Sequence, residues 1–164
     1  LRLSELDSND GDLLMEDVNL YDVASNCVNM LTLHAEENDV KFHLKGSNTH
    51  VKGSHSMIEE LVYNLCDNAI RYNREGGNIW VVVDPEDHSI LVSDDGIGIS
   101  EENQSRIFER FYRVDKSRSR KTGSTGLGLA IVKHIAEQHG AKIELTSAEN
   151  VGTTIKVIFP DPDK

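Results

Sequence analysis

The spacing of the apolar residues changes several times along this chain, and this alternation constrains the fold more than any other feature of the sequence. Over Leu20–Glu37 apolar residues recur every three to four positions, which is the period of an amphipathic helix. Val40, Phe42 and Leu44 then alternate with polar residues, which is the period of a half-buried strand. A second short strand is expected at 49–53. The chain therefore opens with a helix and two strands.

The same order returns twice more before the chain ends. Ser54 is an N-cap residue type and predicts a long helix that runs to about Tyr72, where Gly76-Gly77 stops it. Two further strands and the hairpin turn between them are predicted at 79–83 and 90–93, with antiparallel pairing. A helix is then marked by Leu127, Ala130, Ile131 and Ile135, ends near Gly140, and precedes strands at 141–147 and 153–159. This order predicts an α+β fold, a two-layer α/β sandwich with helices on one face of a mixed, mostly antiparallel sheet.

Length and charge narrow the classes of function. The 164 residues suit one domain, and the net charge of −11 argues against a general nucleic-acid binder, which needs cationic surface. The segment 106–121 is the exception, with seven basic and two acidic residues, and predicts a place where an anion is met. Within it begins a Ser-rich stretch, 116–125, that has no hydrophobic period. We interpret that stretch either as a lid ordered by phosphate or as a merely solvated loop.

Other residue types point to an ordinary globular chain. The longest wholly apolar run is residues 79–83, far below the roughly 18 residues of a membrane span, so this chain is not expected to enter a bilayer. Cys27 and Cys66 form no CxxC pair and are interpreted as small buried residues in a reducing compartment. The histidines of the first third match no compact metal-ligand spacing, and we interpret them as solvated: His34, His43, His50 and His55.

The long helix predicted at 54–72 presents a polar edge beside its apolar stripe. Asn64, Asn68 and Arg71 fall on one arc at about 100° per residue. Carboxamide oxygens at i and i+4 on a half-buried edge can bind a hard cation such as Mg²⁺. The alternative is a pair of asparagines satisfied by backbone or water.

Two glycine-containing segments follow secondary-structure boundaries. Asp94-Asp95-Gly96-Ile97-Gly98 comes directly after a strand, where an acceptor and a backbone without Cβ can lie against a flat ligand. The segment 123–129 opens a helix, and its free N–H groups make a natural phosphate site. It is not a Walker A sequence, because no Lys-Ser/Thr follows.

In their order these segments resemble the boxes of sensor histidine kinases. Asn64/Asn68 matches the N box, Asp94-x-Gly96-x-Gly98 the first glycine box, Phe108-Glu109-Arg110-Phe111 the F box and Gly126-Leu127-Gly128-Leu129 the second glycine box. Gly152-Thr153-Thr154 resembles the final glycine-threonine element, with Asn150 in place of a glycine. The resemblance covers about 20–160 and implies the ATP-binding catalytic domain, with the Bergerat fold shared with DNA gyrase, Hsp90 and MutL.

The resemblance implies roles for individual residues. Asp94 would accept a hydrogen bond from the adenine amino group, with Thr153 nearby. Asn68 would hold Mg²⁺ against the triphosphate, assisted by Asn64, and Arg71 would reach phosphate. Tyr72 would border adenine and ribose, and Tyr112 and Arg113 would contact ribose and phosphate. The implied catalytic residues are Asn64, Asn68 and Arg113, the first two as metal ligands. The implied ATP-binding residues are Asn64, Asn68, Arg71, Tyr72, Asp94, Gly96, Ile97, Gly98, Tyr112, Arg113, Lys121, Thr125, Gly126, Leu127, Gly128, Leu129 and Thr153.

The resemblance also implies partners that this chain does not contain. None of the seven histidines has the context of the family's phosphoacceptor, which sits in a preceding dimerisation helix. We therefore predict a connector and the tail of that helix at 1–19 and the ATP-binding domain at 20–164. The implied parent is a homodimeric, membrane-anchored kinase whose catalytic part is cytoplasmic and whose phosphate passes to a response regulator. A non-catalytic nucleotide sensor and a gyrase-like ATPase remain as alternatives.

Overall fold

In the part of the chain that the structure describes, a five-stranded sheet forms one layer, and three helices cover one of its faces. The computed structural model describes residues 15–109 and 128–163. The strands are β1 (Glu16–Asn19), β2 (Val40–Gly46), β3 (His50–Gly53), β4 (Gly77–Asp84), β5 (Ser89–Asp94), β6 (Lys142–Ala148) and β7 (Gly152–Ile158). The helices are α1 (Leu20–Glu37), α2 (His55–Arg71), α3 (Glu101–Gln104) and α4 (Gly128–Gln138). None of these helices is long and apolar enough to span a membrane within the described residues.

The main sheet has the strand order β2-β4-β5-β7-β6. β2 runs parallel to β4, and the other three pairings are antiparallel. This confirms the predicted mixed, mostly antiparallel sheet, including the hairpin of β4 and β5. Because side chains alternate along a strand, Ile79, Val81 and Val83 point into the core while Trp80 and Val82 are half-buried on the other face.

The helices begin and end at residues that satisfy their free backbone groups. Asn19 caps α1 by accepting a hydrogen bond from the N–H of Tyr21 at 3.1 Å. Ser54 caps α2 by accepting from the N–H of Met57 at 3.4 Å, as its residue type predicted. α2 packs between α1 and α4 over the sheet. Cys27 and Cys66 are buried free thiols of this core, as predicted.

Local structure differs from the predictions at several points. Glu16–Asn19, assigned to the connector, is a strand that pairs with β3 and buries Val18 completely. The strand predicted at 49–53 is confirmed as β3, and it lies with β1 in a separate two-stranded ribbon. The short helix α3 was not predicted. Among the histidines, His43 is not simply solvated, because its ring stacks on Trp80 with centroids 5.6 Å apart.

Candidate functional site

One polar edge of α2 faces the start of α4. The side-chain N–H of Asn64 donates to the carbonyl of Glu60 at 2.7 Å, which leaves the Asn64 carbonyl oxygen directed away from its own helix. That oxygen lies beside Gly128, where an added Cβ would be 3.3 Å from Asn64 Oδ1. The first turn of α4 therefore meets α2 at Asn64.

Asn68 and Arg71 continue this edge toward the end of α2. Both side chains are half-buried, as the helical wheel predicted. Arg71 Nε donates to Asp67 Oδ2 at 2.8 Å, and Asp67 Oδ1 is 3.8 Å from His34 Nε2 on α1. Asp67 thus fixes the guanidinium group of Arg71 from one side. Sequence reasoning missed Asp67, although an acid four residues before an arginine on a helix is a recognisable signal.

Asp94 lies at the end of β5 with its carboxylate turned to the inner face of the sheet. Its Oδ1 accepts the N–H of Gly96 at 2.9 Å, and the carboxylate also accepts the N–H of Thr153. Burial raises the pKa of Asp94 from 3.8 to about 6, although these two hydrogen bonds act in the opposite direction. Asp94 is still mostly ionised at neutral pH, where it acts only as a hydrogen-bond acceptor.

Asp95 lies in a different environment from Asp94. Its carboxylate accepts the N–H of Asn78 at 2.7 Å and the Asn78 side chain at 3.1 Å. Burial alone would raise the pKa of Asp95, but the hydrogen bonds from Asn78 outweigh it and lower the pKa below its usual value. Asp95 therefore holds the loop to β4, and Asp94 is the aspartate that remains available to a ligand.

The loop after Asp94 is fastened to the end of α2. The N–H of Ile97 donates to the carbonyl of Tyr72 at 3.1 Å. A Cβ on Gly96 would collide with that same carbonyl, so only glycine permits this approach. Gly98 has a φ of +70°, which also favours glycine. These contacts explain the predicted Asp-x-Gly-x-Gly pattern in steric terms.

Arg74 reinforces this loop from outside. Its Nε donates to the carbonyl of Asp95 at 2.6 Å, and its Nη2 donates to the carbonyls of Gly96 and Asn150 at 3.3 and 3.2 Å. Asn150 has a φ of +63°, so this asparagine adopts the left-handed backbone that a glycine in its place would also allow. Arg74 joins the first glycine box to the turn before Thr153. Nothing in the local pattern distinguished Arg74 from an ordinary surface arginine.

The helix α2 therefore connects two ends of one site. Tyr72 follows Asn64 by eight residues, so the two are separated by about 12 Å along the helix axis. Asp94, Gly96 and Thr153 lie near the Tyr72 end, whereas Gly128 lies at the Asn64 end. An elongated ligand fits this arrangement, with a hydrogen-bonding head at Asp94 and a charged tail at Asn64.

The structure describes some of the predicted site residues and not others. Those within the described ranges are Asn64, Asn68, Arg71, Tyr72, Asp94, Gly96, Ile97, Gly98, Gly128, Leu129 and Thr153. Outside the described ranges lie Tyr112, Arg113, Lys121, Thr125, Gly126, Leu127 and the proposed lid at 116–125. Within residues 15–109 and 128–163 no group of three or more His, Cys, Asp or Glu side chains could hold a metal ion. The carboxamide oxygens of Asn64 and Asn68 are the hard donors that Mg²⁺ would find at the Asn64 end.

Comparison with known proteins assigns the family. Residues 53–163 match the family described as histidine kinase-, DNA gyrase B-, and HSP90-like ATPase. The chain belongs to this family.

Curated relatives narrow the assignment. Sensor histidine kinase WalK of Bacillus subtilis is 36% identical over 166 residues, which cover 98% of this chain and 27% of WalK. Sensor-like histidine kinase SenX3 of Mycolicibacterium smegmatis is 43% identical over 118 residues, covering 69% of this chain and 31% of SenX3. The chain thus spans about a third or less of the length of these relatives.

Solved structures agree with the fold. Mycobacterial sensor histidine kinase MprB superimposes with a TM-score of 0.77 at 27% identity, covering 89% of this chain and 97% of the MprB chain. The catalytic domain of histidine kinase ThkA gives 0.75 at 25% identity, covering 89% and 95%. The predicted Bergerat fold is confirmed, and the chain is a catalytic domain of the sensor histidine kinase type.

Proposed function

We propose that this domain binds ATP with Mg²⁺ and presents the γ-phosphate to a histidine in the dimerisation domain of the same kinase. The observation that carries the proposal is the placement of two chemically different ends on one helix, about 12 Å apart. An acceptor-rich end at Asp94 suits the amino group of adenine. The other end, formed by the Asn64 carboxamide and the start of α4 at Gly128, suits a metal-bound phosphate chain.

At the base end, the ionised carboxylate of Asp94 accepts a hydrogen bond from the adenine amino group. Gly96 keeps the loop packed against the end of α2, because a Cβ at this position would collide with the Tyr72 carbonyl. Tyr72, the C-cap of α2, borders the base and ribose. Hydrogen bonds of the first glycine box to Tyr72 and Arg74 hold this end in place before the ligand arrives, which reduces the ordering cost of binding.

At the phosphate end, Asn64 and Asn68 would hold Mg²⁺ through their carbonyl oxygens, and Arg71 would reach the phosphates. The metal ion, when bound, neutralises charge that develops on the phosphate oxygens. Asn64 has its side-chain N–H bonded to Glu60, so its oxygen is oriented for this role. Further contacts come from Tyr112, Arg113, Lys121 and Thr125 and from the backbone N–H groups of 126–128, as the family resemblance implies.

Transfer to a histidine is favoured over hydrolysis by the residue at position 64. The related ATPases carry a glutamate four residues before the metal-binding asparagine, and that carboxylate activates water. A carboxamide cannot take up the proton of an attacking water. The phosphate is then passed from the phosphohistidine to an aspartate of a response regulator. The parent kinase is a homodimer, membrane-anchored, with this domain on the cytoplasmic side.

Calorimetry tests the nucleotide part of the proposal. ATP and ADP should bind in the presence of Mg²⁺, and EDTA should weaken ATP binding much more than adenosine binding. Asn68→Asp should change the metal dependence because it places a charged carboxylate beside the phosphates. Binding of an unrelated ligand without any binding of ATP would refute the proposal.

Phosphotransfer separates this kinase from the two alternatives. Labelled γ-phosphate should move from ATP to the matching dimerisation domain added in trans, while the isolated chain labels itself negligibly. Release of free phosphate at a comparable rate would instead indicate a gyrase-like ATPase. Nucleotide binding with neither transfer nor release would indicate a nucleotide sensor.

A further inference from the structure

Three strands of the main sheet bring three polar side chains into one row on the inner face. The register places Asp94 of β5 opposite Thr153 of β7, and Thr153 opposite Ser147 of β6. Ile79 of β4 continues the same row into the core. Directly opposed side chains in such a row lie about 5 Å apart, so each can influence its neighbour.

The hydroxyl of Ser147 makes three contacts at once. It accepts the N–H of Ile99 at 2.8 Å and donates to the carbonyl of Gly152 at 3.0 Å. It also lies 2.8 Å from Thr153 Oγ1, where either hydroxyl could be the donor. The position of Ile99 is itself fixed, because Gln104 Nε2 donates to the carbonyls of Ile99 and Ser147 at 2.9 and 3.0 Å.

Only one placement of the hydrogens satisfies all three contacts. A serine hydroxyl has one hydrogen and two lone pairs. The hydrogen of Ser147 is used on the Gly152 carbonyl, so the hydroxyl of Thr153 must donate to Ser147. Thr153 Oγ1 is then left with lone pairs and has no hydrogen for any other partner. It lies beside Asp94, whose carboxylate accepts the N–H of Thr153.

We propose that Ser147 is a positioning residue that keeps the Thr153 hydroxyl an acceptor, so that Thr153 and Asp94 together select a purine with an amino group at position 6. This inference rests on the proposed nucleotide-binding function and names a residue that controls its base selectivity. A 6-amino group donates hydrogen bonds, whereas a 6-oxo group is itself an acceptor. An oxo group facing two acceptors would be desolvated without a partner, which is strongly unfavourable.

Removing the hydroxyl of Ser147 should release the hydroxyl of Thr153. In Ser147→Ala the threonine can rotate and donate to a 6-oxo group. We expect the ratio of affinities for ADP and inosine diphosphate, measured by calorimetry, to fall about tenfold, mainly because inosine diphosphate binds better. Ser147→Thr retains the hydroxyl and should keep the wild-type ratio. Should Ser147→Ala fail to fold, Ser147→Cys offers a weaker acceptor and should give a reduced ratio.

The sheet supplies a matched control. Ser93 Oγ and Thr154 Oγ1 form a similar hydroxyl pair at 2.6 Å, but they lie on the opposite face, since each is one residue from a member of the row. Ser93→Ala should leave the ADP to inosine diphosphate ratio unchanged. In Thr153→Val, which removes the threonine hydroxyl, adding Ser147→Ala should change the ratio no further.

Each outcome decides a separate question. Equal weakening of both nucleotides in Ser147→Ala, with the ratio unchanged, would mean that Ser147 is only structural and would overturn the inference. The proposed nucleotide-binding function would survive that result. Absence of ADP binding by the wild-type chain would instead overturn the proposed function and the inference with it.

Discussion

At the scale of single residues, two adjacent aspartates show how position decides chemistry. Asp95 is surrounded by donors of Asn78, so its charge is stabilised and its carboxylate is occupied. Asp94 is buried more deeply and has fewer donors, so its pKa rises to about 6. Burial thus makes the charged form of Asp94 less favourable, and a hydrogen bond from a ligand amino group would offset that free-energy cost.

This difference predicts a pH dependence of base binding. The ionised carboxylate of Asp94 accepts a hydrogen bond from the adenine amino group more strongly than the protonated carboxyl group does, so protonation below about pH 6 should weaken binding. Between about pH 7 and about pH 5 the affinity for adenosine should fall by up to roughly tenfold, the change in the ionised fraction of Asp94. Adenosine is the suitable ligand because it has no phosphate that titrates in this range. Isothermal titration across the pH range measures the effect.

The Asp94→Asn variant supplies the control for this titration. Its adenosine affinity should be lower than that of the wild type at neutral pH and should not change with pH. An equally steep loss of affinity in both proteins would assign the titration to another group. Unchanged affinity of Asp94→Asn at neutral pH would contradict the role given to Asp94.

At the scale of elements, α1 shows how one helix divides between core and solvent. Leu31 is 4% exposed and packs in the core, whereas Leu33 is 69% exposed two positions later. Leu31→Ala should lower the free energy of unfolding by about 2–5 kcal/mol, because it removes a buried side chain and leaves a cavity. Leu33→Ala should change it by less than about 0.5 kcal/mol. Urea unfolding of both variants measures the difference, and similar losses would contradict the packing of α1.

The end of α4 is joined to the start of α2 by one buried histidine. His139 Nδ1 donates to the carbonyl of Ile135 at 2.7 Å, and its Nε2 accepts the N–H of Ser54 at 3.1 Å. The bond from Ser54 requires the neutral ring, since a protonated Nε2 could not accept, whereas Nδ1 can donate in either state. Burial lowers the pKa of His139 below 6.5, despite the opposing hydrogen bond to Ile135.

This arrangement predicts that acid destabilises the junction of α2 and α4. In the unfolded chain His139 takes up a proton near pH 6.5, but in the folded chain only at lower pH, so the unfolded state binds more protons. Stability should therefore be complete above about pH 7 and fall as the pH drops below 6.5, by at most about 1.4 kcal/mol per pH unit from this group. Urea unfolding of wild type and His139→Gln measures it. Parallel pH profiles for the two proteins would contradict the prediction.

At the scale of the whole molecule, sequence reasoning identified most elements but not how distant ones pair. Periodicity identified α1, α2, α4 and the strands of the main sheet, because each signal lies within one segment. The parallel pairing of β2 with β4 places Val40 opposite Gly77, and the ribbon places Glu16 opposite Gly53. These partners are far apart in the sequence, so no local pattern predicts either pairing. The motifs likewise predicted Asp94 and Asn64 as site residues. They gave no signal for Ser147 or Arg74, whose contacts depend on what the fold brings beside them. The spacing of Asp67 and Arg71 was a signal, but it was missed.

The whole-molecule scale also predicts what the smallest folding unit must include. The family match covers residues 53–163, yet α1 packs against α2, and β2 supplies the strand that flanks β4. A truncated chain of residues 53–164 would expose the buried faces of both layers, including Leu61, Val62 and Ile79, which are fully buried in the complete chain. Newly exposed apolar surface costs about 25 cal/mol per Å². The free energy lost on removing α1 and β2 should therefore exceed the free energy of unfolding of a small domain. Thermal circular dichroism should therefore show cooperative unfolding for the full chain and none for residues 53–164. A cooperative transition in the truncated chain, with unchanged ADP affinity, would show that α1 and β2 are dispensable.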